Sequence, residues 1–320
     1  MAISVSAGAP TPADIIAAAA RLAGHIRATP LARSERLSRL TGADVWLKLE
    51  TAQVTGSFKI RGATNAIARL RETSPHVTTV TTASAGNHGL ALAKAGSEMG
   101  IAVRVHLPAT APRAKKDALE RYGAKTIEAP TYDEAERRAR EEVARGGVTF
   151  ISAYSHSDVI AGAGTVALEM LAARPDLDLF VVPLGGGGLL SGTAIWVRNH
   201  AAGATIVGAE ADASPVFTAA MRAGRPVTVD VHKTVADGLA GNMEPDSQTF
   251  PIVRDLVDRV IRVPEPAIVS AMSDLAALDG IVAEGASATA VGGLLLSGID
   301  LAGRRVGVIL SGSNVDEPYN

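Results

Sequence analysis

Apolar runs of strand length alternate with segments of helical period along most of this chain, and that alternation restricts the possible folds more than any other feature. Val77–Thr82, Ala102–Leu107, Thr126–Ala129, Phe180–Leu184, Thr205–Ala209 and Arg305–Leu310 read as strands. Gly89–Met99, Ala114–Tyr122, Tyr132–Ala144 and Leu189–His200 read as the helices between them. Repeated strand–helix units form parallel pairs with crossovers, so the predicted class is α/β, a mostly parallel sheet with helices on both faces. Nearer the N-terminus, Thr11-Pro12-Ala13-Asp14 carries the marks of a helix start. Thr11 caps, Pro12 suits the first helical position and Asp14 completes a capping box. Asp44–Glu50 is a further strand candidate and Gln53–Gly56 a turn. Ile60, Ala63, Ile67 and Leu70 then recur at helical steps.

Four segments of this chain carry chemistry. Gly185, Gly186, Gly187 and Gly188 follow an apolar strand and precede a helix. A loop stripped of side chains lets backbone N–H groups converge on an anion at a helix N-terminus, which makes it a phosphate cradle. It is not a P-loop, since no Gly-Lys-Ser/Thr follows. It is not a dinucleotide fingerprint either, since Ser191 stands where the third glycine belongs. The second segment is Ser57-Phe58-Lys59-Ile60-Arg61-Gly62-Ala63. Lys59 sits at a helix start, where helix charge and burial both disfavour the ammonium form and favour a nucleophile for a carbonyl. Alone it would read as a surface lysine; its weight comes from the other segments. The third, Thr81–Gly89, lies between a strand end and a helix start, where open α/β sheets bind ligands. Ser84, Asn87 and the local N–H groups suit a carboxylate. His88 reads equally as a general base or as a helix-cap histidine. The fourth, Ser311-Gly312-Ser313-Asn314, again puts small polar groups at the carboxyl end of a strand.

Taken together, these segments resemble the fold-type II pyridoxal phosphate enzymes, in particular the threonine/serine dehydratase and serine racemase group. The resemblance starts at Thr29-Pro30-Leu31 and runs through Leu47–Glu50, Thr55–Lys59, Ser84–His88, Val159–Gly162 and the tetraglycine loop. It closes with Ala236-Asp237-Gly238 and Ser311–Asn314. It implies two open, mostly parallel sheets flanked by helices, with pyridoxal 5'-phosphate in the cleft between two domains. Residues 1–53 and 153–320 would form the larger domain and residues 54–152 the smaller. Position by position, Lys59 matches the covalent anchor of the cofactor and the catalytic base, and Phe58 a residue beside its ring. Asn87 matches the partner of the ring hydroxyl, Gly185 to Gly188 the phosphate loop, and Ser311 the group facing the pyridine nitrogen. Ser84, Ala85, Gly86 and His88 fall in the loop that receives the substrate carboxylate. The resemblance also implies a homodimer.

Within the group, racemases carry a serine where this chain has Ala85, and alanine cannot move a proton; dehydratases commonly have alanine there. The expectation is therefore an ammonia-lyase acting on a 3-hydroxy amino acid such as L-threonine or L-serine. Serine racemase and 3-hydroxyaspartate dehydratase are the alternatives, and a β-replacement enzyme or a non-enzymatic phosphate or nucleotide binder are more distant ones. No metal is expected, because Glu210 lacks the second carboxylate that cation-binding relatives place after it. A solvated strand-end residue is an equally good reading of Glu210. Glu284 matches a family glutamate near the cofactor, and Arg61 is expected to pair with an acidic neighbour in the core. The chain stops six residues after Asn314, so no regulatory domain is expected beyond it.

Composition narrows the rest. A net charge of −2 favours neither nucleic acid nor a membrane surface as partner. The absence of cysteine excludes disulfides, thiolate zinc sites and Fe–S clusters. The N-terminus has no basic region leading into a long apolar run, so a cytoplasmic protein without signal peptide or transmembrane helix is expected.

Overall fold

The computed structural model describes residues 8–244 and 246–315. In chain order its strands are β1 (Leu31–Arg33), β2 (Asp44–Leu49), β3 (Thr79–Ala83), β4 (Ala102–Pro108), β5 (Lys125–Ala129), β6 (Thr149–Phe150), β7 (Leu179–Pro183), β8 (Thr205–Ala211), β9 (Arg259–Val263) and β10 (Arg305–Leu310). The helices are α1 (Pro12–Leu22), α2 (Glu35–Thr41), α3 (Lys59–Thr73), α4 (Asn87–Met99), α5 (Arg113–Arg121), α6 (Tyr132–Ala144), α7 (Ser157–Ala173), α8 (Gly188–His200), α9 (Val216–Ala223), α10 (Thr249–Leu256), α11 (Glu265–Asp279) and α12 (Gly285–Leu295). The capping box at Thr11 and Asp14 is present.

Two sheets form. The larger has the order β1-β2-β10-β7-β8-β9 and the smaller β5-β4-β3-β6. Apart from β1, which pairs antiparallel with β2, every ladder is parallel. The central strands explain this: Leu-Phe-Val-Val-Pro of β7 is buried at every position, as a strand covered on both faces must be. From β7 the chain steps outward through β8 to β9, then returns so that β10 inserts between β7 and β2. The order reverses there, which opens a crevice at the carboxyl ends of β7, β10 and β2.

Three buried clusters fill the layers. One lies between the larger sheet and α1, α7, α8 and α10, and another between that sheet and α11 and α12. The third belongs to the smaller sheet and its helices. Helix α3 joins the two sheets' layers by packing on both α4 and α7. Its contact with α7 is backbone to backbone: a Cβ on Gly162 would come within 2.5 Å of the Arg61 carbonyl oxygen and 2.7 Å of the Gly62 Cα. The first turn of α3, which begins at Lys59, is thereby pressed against α7.

Beside that contact sits a buried charge cluster. The Arg61 guanidinium donates to both Glu50 oxygens at 2.8 Å and to Glu169 at 2.7 and 2.8 Å, and it is fully buried. Lys48 completes the cluster by donating to Glu169 and, at 2.7 Å, to the Thr29 carbonyl. Two cations face two carboxylates, so the cluster is neutral and its fork geometry is satisfied.

Candidate active site

The crevice gathers the four segments, each delivered by a parallel strand. Strand β2 ends at Leu49 and leads through a turn to Ser57, Phe58 and Lys59. Strand β10 ends in Ser311, β7 in Gly185, and β3 of the smaller sheet in the loop that carries Ser84 to Asn87. Residues 56–58 and 311–313 are stitched together: Phe58 N donates to Ser311 O at 2.9 Å and Ser313 N to Gly56 O at 2.8 Å. This pairing fixes Lys59 relative to Ser311.

Lys59 is the first residue of α3, and its Nζ donates to the carbonyl of Ala153 at 2.9 Å. Its ammonium lies 5.2 Å from the Phe58 ring centroid. Burial pushes its pKa down to about 8, with Glu284 pulling the other way. Desolvation disfavours a charge that has no carboxylate within bonding distance. Glu284 is itself pushed up to about 7 by burial, against the hydrogen bonds from Asn87. Asn87 Nδ2 donates to both Glu284 oxygens, at 3.0 and 2.9 Å, while its Oδ1 accepts from Asn314 Nδ2 at 2.7 Å. Asn87 and Glu284 thus bridge the smaller sheet to the larger across the crevice.

The glycine loop is shaped by its surroundings as much as by its flexibility. Gly187 adopts φ +87° and caps α8, and a Cβ there would come within 2.7 Å of Phe217 Cζ. A Cβ on Gly186 would enter the Tyr154 ring at 2.3 Å. Thr249 Oγ1 holds the loop from behind by donating to Gly186 O at 2.7 Å. Ser311 is buried, and its hydroxyl lies 3.1 Å from that of Ser287, which in turn donates to Gly312 O at 2.7 Å.

In the loop before α4, Ser84 Oγ accepts from Gly86 N at 3.3 Å, Ala85 packs partly against the smaller core, and the first N–H groups of α4 have no acceptor within the helix. His88 is turned away from this loop. Its ring is buried, its Nε2 faces the Ile151 carbonyl at 3.2 Å, and burial pushes its pKa down to about 3. A neutral ring bonded through Nε2–H to a carbonyl is a structural group, so the general-base reading of His88 is corrected. What it offers the loop is its backbone. Glu210 is corrected too: it is not solvated at all. It is fully buried, and its carboxylate accepts from Phe217 N and Thr218 N at 3.0 Å, capping the N-terminal turn of α9. Among the described residues no cluster of three or more His, Asp and Glu side chains is placed to hold a metal ion. Arg61 pairs in the core, as its sequence context predicts.

Several residues of the site escape sequence reasoning. Ala153 receives the Lys59 amine across 94 positions, and Ser287 meets Ser311 across 24. Tyr154 and Thr249 are further examples. The Ser57 side chain is wholly buried, with no partner for its Oγ. No periodicity signals any of these, because tertiary folding alone brings them together.

The residues fit a phosphorylated pyridine aldehyde. A lowered-pKa amine stands ready for the aldehyde, a side-chain-free helix N-terminus for the phosphate, an asparagine–glutamate pair for a ring hydroxyl, and a neutral serine for a ring nitrogen. Comparison with known proteins agrees. The chain is 37% identical over 304 residues to the L-threonine ammonia-lyase of Thermotoga maritima, covering 95% of this chain and 75% of that one. It is 37% identical over 308 residues to the L-threo-3-hydroxyaspartate ammonia-lyase of Saccharomyces cerevisiae, covering 96% and 94%. A crystal structure of a pyridoxal 5'-phosphate-dependent aspartate racemase superposes with a TM-score of 0.90 at 32% identity, covering 98% of both chains. The family model for pyridoxal-phosphate dependent enzymes matches residues 22–312, and the chain belongs to that family.

Proposed function

We propose that this protein is an ammonia-lyase that converts a 3-hydroxy amino acid such as L-threonine or L-serine to a 2-oxo acid and ammonia. The observation that carries this reading is an asymmetry in the cleft. Lys59 places a basic amine at its floor, while the position where racemases carry a proton donor is Ala85; Ser84 stands one residue earlier, with its hydroxyl on the carboxylate side, and the His88 ring bonds the Ile151 carbonyl. Racemisation needs an acid on each face of Cα, whereas elimination needs only one base. When bound, pyridoxal phosphate supplies an electron sink for the negative charge that develops at Cα.

The chain's own residues do the rest. Lys59 would hold the cofactor through its amine, and the free amine would take the Cα proton. Phe58 would lie beside the ring, Asn87 would hold its hydroxyl, and Gly185 to Gly188 would hold the phosphate by their N–H groups. Ala85, Gly86 and His88 would present backbone N–H groups, and Ser84 its hydroxyl, to the substrate carboxylate; the Ser84 N–H is held by the His106 carbonyl at 3.1 Å. Loss of the β-hydroxyl as water leaves an enamine, and its hydrolysis gives the 2-oxo acid and ammonia. The test is oxo-acid release from a panel of 3-hydroxy amino acids in both stereochemical forms. Release from L-threonine or L-serine supports the reading; a panel without turnover sinks it.

Two predictions arise from the site. The Lys59 amine must be neutral to attack the aldehyde, and with its pKa lowered to about 8 the neutral fraction grows as pH rises toward that value. Reloading of apoenzyme with cofactor is expected to quicken about tenfold per pH unit below 8 and level off above it. A midpoint near that of an ordinary lysine would contradict the assignment. Ser311 would face the ring nitrogen with a neutral hydroxyl, which would not keep that nitrogen protonated as a carboxylate would. Ser311→Asp is expected to raise transamination relative to elimination by about tenfold or more, measured as the ratio of aminated cofactor to oxo acid. An unchanged ratio would remove Ser311 from this role.

The division into residues 1–53 with 153–320 and 54–152 is supported by the smaller sheet, whose strands all lie between Thr79 and Phe150. A homodimer is supported by exposed apolar side chains on α2 and on the α11–α12 hairpin, including Leu40, Leu278 and Leu295. A cytoplasmic location fits the cysteine-free sequence. No described helix is long and apolar enough to cross a membrane.

A further inference from the structure

Beside the glycine loop, beyond the Tyr154 ring that packs on Gly186, lies a charge arrangement that the elimination chemistry does not use. Tyr132, Glu136 and Arg140 recur every fourth residue along α6 and share one face. Tyr132 Oη donates to Ala83 O at 3.1 Å, at the root of the substrate loop. Arg140 donates to Glu136 at 2.9 and 3.1 Å, and also reaches Glu244, from the larger-sheet side, at 3.0 Å. Glu244 is held in turn by the cleft lining: Ser152 Oγ donates to its carboxylate at 2.5 Å, and its backbone N donates to Tyr154 Oη at 2.8 Å. Ser152 and Tyr154 flank Ala153, whose carbonyl receives the Lys59 amine, and the Tyr154 ring lies against Gly186. The Arg140–Glu244 pair therefore borders the space in front of Lys59.

At this border one guanidinium faces two carboxylates. A substrate carboxylate entering here would meet one cation already shared by two carboxylates. We propose that Glu244 is a specificity-determining residue: by engaging Arg140 it keeps that cation from a second substrate carboxylate, and so selects 3-hydroxy amino acids with uncharged side chains over 3-hydroxyaspartate. This rests on the lyase reading and narrows its substrate class. Arg140 is partly exposed, with side-chain exposure of 41%; without Glu244 it keeps Glu136 and its place over the Phe150 ring, and one of its two carboxylates is gone, so a ligand carboxylate can take the vacated side.

The test uses two amino acids without a β-hydroxyl, so its outcome does not depend on elimination taking place. Dissociation constants of L-aspartate and L-2-aminobutyrate are read from the change in cofactor absorption of the holoenzyme. The wild type is expected to bind L-aspartate at least about tenfold more weakly. Glu244→Gln is expected to narrow that gap by about tenfold, and the double variant with Arg140→Gln to restore it. Arg140→Gln alone leaves Glu136 and Glu244 without their shared cation and is expected to widen the gap or leave it unchanged. Preferential binding of L-aspartate by the wild type would overturn the proposal. So would an equal shift for both ligands in Glu244→Gln, as a merely structural role gives, or a selective gain of L-aspartate binding in Arg140→Gln. Failure of the lyase reading would show elsewhere, as absence of oxo acid from L-threonine and L-serine.

Discussion

Lys59→Ala is expected to lower oxo-acid release by about 10³-fold or more, because the proposed function gives one side chain the roles of cofactor anchor and Cα base. The amine stands at the start of α3, fixed by the stitching of residues 56–58 to 311–313 and by the backbone contact of α3 with α7. No neighbour can take over. His88 is buried and neutral, and Glu284 is engaged by Asn87. The variant should still take up the cofactor, since the glycine loop, Asn87 and Ser311 remain. Borohydride should fix cofactor to the wild type and not to the variant. A variant that retained a tenth of wild-type turnover would show that another group holds the proton. Arg61→Lys provides a contrast two residues away, since it leaves the amine in place and should reduce turnover far less.

Arg61→Met is expected to destabilise the fold by about 3–5 kcal/mol, measured by urea unfolding of the apoenzyme. The loss is not that of a salt bridge in water. Glu50 is fully buried, and without the guanidinium its carboxylate keeps the Thr29 hydroxyl but no cation in direct contact. Glu169 retains Lys48, so the uncompensated charge is concentrated on Glu50. Combining Arg61→Met with Glu50→Gln should recover much of the stability, because the pair is removed together. A loss below about 1 kcal/mol for the single change would mean that water reaches Glu50 and that the cluster behaves like a surface pair.

How much of this is legible in the sequence depends on what each element faces. Helix α6 is bounded by the residues its charge pattern predicts, because one face packs on the smaller sheet while the other meets water. The central strands were legible for a related reason: short apolar runs between helical segments suit a sheet covered on both sides. Helices α7 and α12 leave no such trace. Both are apolar nearly all round and rich in glycine and alanine, since they are buried between layers, so their period is invisible. The short strands β1, β6 and β9 are similarly missed, because their existence depends on ladder partners distant in the chain.

The site divides along the same line. Lys59, the tetraglycine loop, Asn87 and Ser311 are readable because glycine and small polar residues at strand ends have few reasons to cluster except ligand binding. The direction of a side chain is not readable. His88 and Glu210 both sit where chemistry is plausible, and both turn inward to satisfy backbone groups. Ser287, Thr249 and Glu244 lie on segments with no motif, and only the fold makes them supports of the cleft.

The central claim, one base on one face of Cα, is tested most directly by the fate of L-serine. Wild-type holoenzyme is incubated with L-serine, and pyruvate and D-serine are measured in the same sample over time. The account predicts pyruvate and ammonia in equal amounts, with D-serine below about one hundredth of the pyruvate, since Ala85 leaves no second acid to deliver a proton from the opposite side. D-serine accumulating at a rate rivalling pyruvate would contradict it, and would require a proton carrier that the loop from Ser84 to His88 does not supply.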